Sequence, residues 1–178
     1  MRIEYTPIGF VRTKRTKEEI DKLWNRGYEA ILEIIPEYEE GLKGIDGFSH
    51  IIVIAHLHLS TPQGSLIIKP KGFTRIGLSI DELPEVGIFC TASPRRPNPI
   101  AVSIMKLVKR ERNLLHVDDC DLYDGTPILD IKPFTPNRCP ENVTIPQWLI
   151  NLYNLAKERY GIDIFKVKVT DSGLSNKR

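Results

Sequence analysis

Thirteen prolines and twelve glycines are spread through 178 residues and cut the chain into short pieces. Each proline removes a backbone donor, fixes φ and pushes the residue before it towards extended backbone. Between the breaks the pieces are rich in Ile and Val, which predicts many short strands. Ile3 to Val11 reads as a first strand, interrupted at Pro7 and Gly9, and Ala30 to Ile35 as a second. Ser49 to Leu59 carries the strongest strand signal; it is apolar on both faces and is expected to be central and buried. Leu66 to Lys69, Phe73 to Ile80 and Val86 to Thr91 read as further strands. Ile100 to Val108 and Leu114 to Val117 form a hairpin around Lys109 to Asn113, and Ile128 to Ile131 adds a short strand. Strands this close in sequence pair antiparallel, in a sandwich or barrel.

Helices are few. Thr16 and Glu19 make a capping-box pattern, followed by Ile20, Leu23 and Trp24 at helical spacing, with Gly27 placed to end the helix. Pro36 to Gly47 is acidic and Gly-punctuated, hence a loop or a short helical turn. Near the end, Trp148, Leu149, Leu152, Leu155, Ala156 and Tyr160 recur at helical intervals between Pro146 and Gly161. Phe165, Val167 and Val169 then alternate with Lys166 and Lys168, the pattern of a strand whose edge is guarded by lysines. The expected fold is mainly β: a small antiparallel β-barrel with a short N-terminal helix insertion and a C-terminal helix.

Composition excludes several classes. The length suits one domain and is too short for a TIM barrel. With 25 Lys+Arg against 23 Asp+Glu the chain is not polybasic, although a local nucleic-acid site stays open. Cys90, Cys120 and Cys139 contain no CxxC pair, so neither a zinc ribbon nor a disulfide framework is expected. The N-terminus does not read as a signal peptide, and the apolar stretch from Ile51 to Leu59 is too short to span a bilayer. The expectation is a soluble chain with reduced thiols, cytoplasmic or nuclear. No GxGxxG follows a strand, and no P-loop is present.

Four segments carry candidate chemistry. His50, His56 and His58 fall on even positions of one strand, and His56 with His58 has the spacing to share a metal. No third ligand is indicated, so hydrogen-bonded pocket histidines are the preferred reading and no metal is expected. Ile51 to Ile80 has no acidic residue but holds His56, His58, Lys69, Lys71 and Arg75, a set suited to phosphates or to ordinary solvated turns. Ser93 to Ile100 sets Arg95, Arg96 and Asn98 among three prolines, which hold the forks at low entropic cost. Asp124-Gly125-Thr126-Pro127 has turn chemistry and lies between apolar pieces, so its backbone is placed to line a pocket mouth.

Taken in order, these motifs resemble the TrmO family, also called TsaA or YaeB-like proteins. The resemblance rests on Pro7 to Arg12, the acidic Pro-Glu-Tyr loop, Gly47-Phe48-Ser49-His50, Arg96 to Ile100, Asp124 to Pro127 and Asp130 to Pro133. It covers about Ile3 to Pro136. The family's Pro-Arg-Gln segment after the first strand is replaced here by Lys14-Arg15-Thr16, and the arginine of its Thr-Arg-Ser-Pro by Ala92.

The resemblance implies a β-barrel of residues 1–136 that binds S-adenosylmethionine without a Rossmann fold and works as a homodimer. Residues 137–178 would then be a helix-and-strand extension packed on the barrel. It implies methylation of N6 of threonylcarbamoyladenosine beside the anticodon, with tRNA as partner. Cofactor contacts are implied for His58, Ser93, the backbone near Val102, and the turn formed by Leu122, Asp124, Gly125, Thr126 and Pro127. Asp124, or a backbone carbonyl, would accept the N6 proton or orient its lone pair. Lys69, Lys71, Arg75, Arg95, Arg96 and Asn98 would hold the substrate's phosphates or threonyl carboxylate. Two other readings remain at this point: a non-catalytic nucleotide- or RNA-binding barrel, and a histidine-based metal hydrolase.

Overall fold

The computed structural model describes residues 2–23, 27–61 and 64–162. In chain order its elements are β1 (Gly9–Arg12), α1 (Lys17–Lys22), β2 (Tyr28–Ile34), β3 (His50–His56), β4 (Ile67–Ile68), β5 (Val86–Gly87), β6 (Ile100–Glu111), β7 (Leu114–Cys120), β8 (Pro127–Pro133) and α2 (Gln147–Tyr160). Six strands close into a barrel in the order β1-β2-β7-β6-β3-β8, every pairing antiparallel. β4 and β5 form a separate two-stranded ladder.

Alternation fills the barrel. Val11, Leu32, Ile51, Val53, Ala55, Met105, Leu115 and Ile128 are fully buried and form one core. Burying a side chain of this size contributes about 1.5–3 kcal/mol, so this row outweighs any surface contact in setting strand register. On β3 the odd residues point inward, whereas Ile52 and Ile54 are half-buried and His56 is exposed. The strand expected to be apolar on both faces is thus a barrel stave with an apolar outer side.

Several sequence expectations change. The first strand is only Gly9–Arg12, because Pro7 has no N–H to give a ladder; Ile8 still donates to Ile128 O at 2.8 Å. Phe73 to Ile80 is not a strand: Lys71–Ile76 and Ile80–Glu82 are 3-10 turns, with Gly77 left-handed between them at φ 99°. Val86 to Thr91 breaks after Gly87 into a 3-10 turn, Ile88–Cys90. The β6–β7 hairpin is longer and tighter than expected because Arg112 accepts φ 56°.

α1 keeps its capping box, with Thr16 Oγ1 accepting from Glu19 N at 3.2 Å and Glu19 Oε2 accepting from Thr16 N at 2.7 Å. It stops at Leu23, however, not at Gly27. Gly27 instead serves a close approach of two strands. A Cβ there would sit 2.1 Å from Asp119 Cα, so only glycine lets the start of β2 lie against the end of β7. Trp24 and the Phe165–Val169 strand lie outside the described residues.

α2 begins after Pro146 and ends on left-handed Gly161. Its Leu152 packs with Leu78 and Leu83, joined by Phe73, Trp148 and Leu155, in a second small core. Arg159 to Glu82 (2.5 Å) and Tyr160 Oη to Gly77 O (2.7 Å) fasten its last turn. Phe73, Leu78 and Leu83 therefore face a helix, which is why strand periodicity misled there.

Candidate functional site

The ends of β1 and β3 and the start of β8 meet at one mouth of the barrel, and the turn after β7 closes over it. Asp124 Oδ1 accepts from Thr13 N at 2.9 Å, and Gly125 N donates to Val11 O at 2.8 Å. Thr126 is buried, and its carbonyl accepts from Val11 N at 3.0 Å. Leu122 is also buried, and its carbonyl accepts from the Tyr28 hydroxyl. The turn is thus bolted to β1 and β2. Asp124 is exposed, and its second carboxylate oxygen meets no donor among the described residues. Gly125 is left-handed (φ 72°), and a Cβ there would come to 4.0 Å of His58 Nε2.

His58 lies in the turn after β3, its N–H donating to His56 O at 2.8 Å. The strand alternation predicted for it therefore ends at His56. Desolvation lowers the His58 pKa, repulsion from His56 lowers it further, and Asp124 opposes both. The imidazole is neutral at neutral pH and available as a hydrogen-bonding group. No three His, Cys, Asp or Glu side chains cluster in a metal-holding arrangement among the described residues.

The proline-rich loop is tied to the same strand end. Leu57 N donates to Pro99 O at 2.7 Å, and Ser60 Oγ to Pro94 O at 2.7 Å. Ser93 is half-buried, its N–H donating to Thr91 Oγ1 at 3.3 Å. The Arg96 guanidinium lies 6.0 Å from the Phe89 ring centroid. Arg95 and Asn98 are exposed, and Asn98 O accepts from Ile100 N at 2.8 Å.

β6 supplies the third wall. It pairs with β3 from Ile100 to Lys106 but with β7 only from Lys106 onward. Its first half therefore has one laddered edge and one free edge, facing the segment after β7, and Ser103 Oγ reaches across to Asp121 Oδ1 at 2.6 Å. Val102 is in this half, its side chain 68% exposed on the outer barrel surface. A free strand edge offers paired N–H and C=O groups, the donor and acceptor set that an adenine edge takes. An acidic turn and a neutral imidazole suit a sulfonium cation. The residues present thus fit S-adenosylmethionine on the chemistry of their groups.

The remaining basic residues are placed differently. Asp21 of α1 receives the Tyr123 hydroxyl at 2.6 Å, Lys17 Nζ at 3.0 Å and Arg75 Nη2 at 3.2 Å, and the Lys17 ammonium lies 5.5 Å from the Tyr123 ring centroid. The Tyr123 hydrogen bond is the main cause holding the Asp21 carboxyl below its ordinary range, helped by Lys17 and Arg75 against desolvation. Arg75 thereby braces the Leu122–Pro127 turn from outside. Lys69 Nζ donates to Ile80 O at 3.1 Å, and Lys71 is exposed. Sequence reasoning passed over Asp21, Tyr123, Ser60 and Phe89. The i,i+4 spacing of Lys17 and Asp21, and the position of Tyr123 inside the 122–127 turn, were the available signals.

A cleft of about 450 Å³ opens at the other end of the barrel, lined by Ile34, Leu42, Phe48, Ile51, Ile131 and Pro133 among others. It lies at the β3 start, whereas His58 and Asp124 lie beyond the β3 end. The Asp130–Lys132 pair at its rim is closed at 2.5 Å, and Glu37, Tyr38 and Lys43 also line it.

Comparison with known proteins agrees with this barrel fold. Residues 15–138 match the family described as "tRNA-methyltransferase O N-terminal domain". A Pyrococcus abyssi protein named "Probable S-adenosyl-L-methionine-binding protein" is 39% identical over 159 residues, 87% of this chain and 81% of that one. The human tRNA (adenine(37)-N6)-methyltransferase is 34% identical over 119 residues, 65% of this chain but 25% of its own. The crystal structure of TrmO from Pseudomonas aeruginosa superposes with a TM-score of 0.61 at 26% identity, covering 81% of this chain and 61% of that one. With a barrel whose free β6 edge, anchored acidic turn and proline-rich loop meet at one mouth, and a family match running through all three, the chain belongs to the TrmO family.

Proposed function

We propose that this chain, a TrmO-family methyltransferase that uses S-adenosylmethionine, acts on N6 of threonylcarbamoyladenosine next to a tRNA anticodon in the cytoplasm. The observation that carries the reading is the convergence of His58, Gly125 and Asp124 at the barrel mouth, with one Asp124 oxygen unpartnered among the described residues. Bound there, S-adenosylmethionine supplies an activated methyl group. The protein contributes position and charge. The free edge around Val102 holds the adenine, Ser93 and the Leu122, Gly125, Thr126 and Pro127 backbone frame the rest, and neutral His58 adds a hydrogen bond without opposing a cation. Asp124 accepts the N6 proton or orients its lone pair, and its carboxylate offsets positive charge at the mouth. Arg95, Arg96 and Asn98 on the stiff loop hold the threonyl carboxylate or phosphates, and exposed Lys71 extends the basic track, while Lys69 and Arg75 are engaged by Ile80 O and Asp21.

The protein acts as a homodimer in this proposal. Ile52 opposes Ile104 and Ile54 opposes Val102 on the outer face of β3 and β6, and Val102 and Ile104 are 68% and 42% exposed. A β-branched, uncharged face of this kind suits a self-complementary contact. Residues 1–136 carry the site in this proposal, and α2 supports the 71–83 segment.

Calorimetry with S-adenosylmethionine and a transfer assay with tRNA from cells lacking this gene test the reading. Binding with transfer supports it. Binding without transfer rejects the RNA substrate. RNA binding indifferent to the cofactor, at any salt concentration, returns the chain to a non-catalytic barrel.

A further inference from the structure

We propose that Phe89 and Arg96 form a stacking platform for an unpaired base of the RNA, flanking the target nucleotide; this rests on the tRNA reading above. Phe89 is 72% exposed, although it follows fully buried Ile88 in the same 3-10 turn. The turn itself is well fixed: Ile88 N donates to Leu66 O at 2.8 Å, and Ile88 O accepts from Thr91 N at 3.2 Å and Thr91 Oγ1 at 2.9 Å. The ring is therefore held out on a rigid support, four residues before Ser93 at the proposed cofactor mouth. Arg96 reaches back from the far side of the proline-rich loop to stand over it at 6.0 Å.

Charge selects the occupant. From Val86 to Arg110 the chain has no acidic residue, while Arg95 and Arg96 sit in the loop that follows the ring. An apolar protein partner gains nothing from that charge, whereas a polyanion with planar bases uses both the cation and the π-face. An aromatic ring beside an arginine plane is also the arrangement on which splayed single-stranded bases stack. The sequence spacing alone hid this, because Ile88, Phe89 and Cys90 read as part of a strand.

The test is the affinity of the full-length protein for a synthetic anticodon stem-loop, with and without an abasic nucleotide beside the target. Phe89→Ala is expected to weaken binding of the intact loop about tenfold, the range of one lost base–aromatic stack. It is expected to leave S-adenosylmethionine affinity and thermal midpoint unchanged, and Phe89→Trp is expected to retain wild-type affinity. On the abasic loop, wild type and Phe89→Ala are expected to bind alike. Equal binding of the intact loop by wild type and Phe89→Ala overturns the platform while leaving the methyltransferase reading standing. Dissociation of a dimer by Phe89→Ala also overturns it, assigning the ring to a second copy. A wild-type protein that binds no stem-loop rejects both the platform and the RNA substrate.

Discussion

At the level of single residues the site divides into groups that touch a ligand and groups that hold them still. In the proposed mechanism Asp124 is in the first class. Asparagine there keeps the acceptor for Thr13 N and removes the charge, so Asp124→Asn is expected to lower kcat about 100-fold, the lower range for loss of general acid–base assistance. Its KM for S-adenosylmethionine should move far less; equal losses in kcat and binding would make Asp124 a cofactor anchor only. His58 gives a pH signature. Its pKa in the folded protein is depressed by burial and by His56, so the neutral form is favoured on folding. The associated stability is fully present above the unfolded pKa near 6.5 and is lost as pH falls through the depressed value. Cofactor affinity should follow the same direction, flat above that pH and weaker below it, because a protonated imidazole opposes a sulfonium. A His58→Gln variant is expected to flatten the acid limb, as titration calorimetry across pH would show.

Much of the candidate site's local geometry was legible as sequence. The turn chemistry of Asp124 to Pro127 and the stiffness of the proline-rich loop came from φ restrictions, which act locally. His58 was found for a partly wrong reason, since it lies past the strand end and shares no face with His56 by alternation. Asp21, Tyr123 and Phe89 were missed because their roles depend on partners 102, 102 and seven positions away in the chain, respectively.

At the level of elements, local patterns succeeded where burial is one-sided and failed where a second element supplies the cover. β3, β6, β7 and β8 appear close to their expected positions because alternation against a barrel interior leaves a period of two. Phe73 to Ile80 misled because Phe73 and Leu78 pack on α2, and a 3-10 turn with a left-handed glycine presents them as well as a strand would. This second core can be tested on its own. Leu152→Ala removes a buried side chain between Leu78 and Leu83 and is expected to cost about 2–5 kcal/mol in chemical denaturation. The folded fraction should still bind S-adenosylmethionine with wild-type affinity. A large fall in cofactor affinity would mean that α2 shapes the barrel mouth directly.

For the whole molecule, the decisive property is where charge and apolar surface lie. Net charge is only +2, so the proposed RNA attraction rests on a local track and not on the molecule's overall field. Replacing Arg95 or Arg96 with alanine is expected to reduce the slope of log affinity against log salt by about 0.7–0.9 if each neutralises one phosphate. The outer β3–β6 face should respond to apolar disruption instead. Ile104→Glu places a charge in the centre of the exposed β3–β6 face and is expected to convert the proposed dimer to a monomer in light scattering. An unchanged mass would assign that face to no copy of the chain.

The central claim is that this barrel mouth methylates an anticodon-loop adenosine. The most direct measurement incubates the protein and S-adenosylmethionine with tRNA carrying unmethylated threonylcarbamoyladenosine, then digests the RNA and separates its nucleosides by mass spectrometry. The expected result is time-dependent conversion of threonylcarbamoyladenosine to its N6-methyl form, and loss of that conversion in Asp124→Asn. A protein that binds the cofactor yet leaves that nucleoside unchanged, or methylates a different one, contradicts the claim.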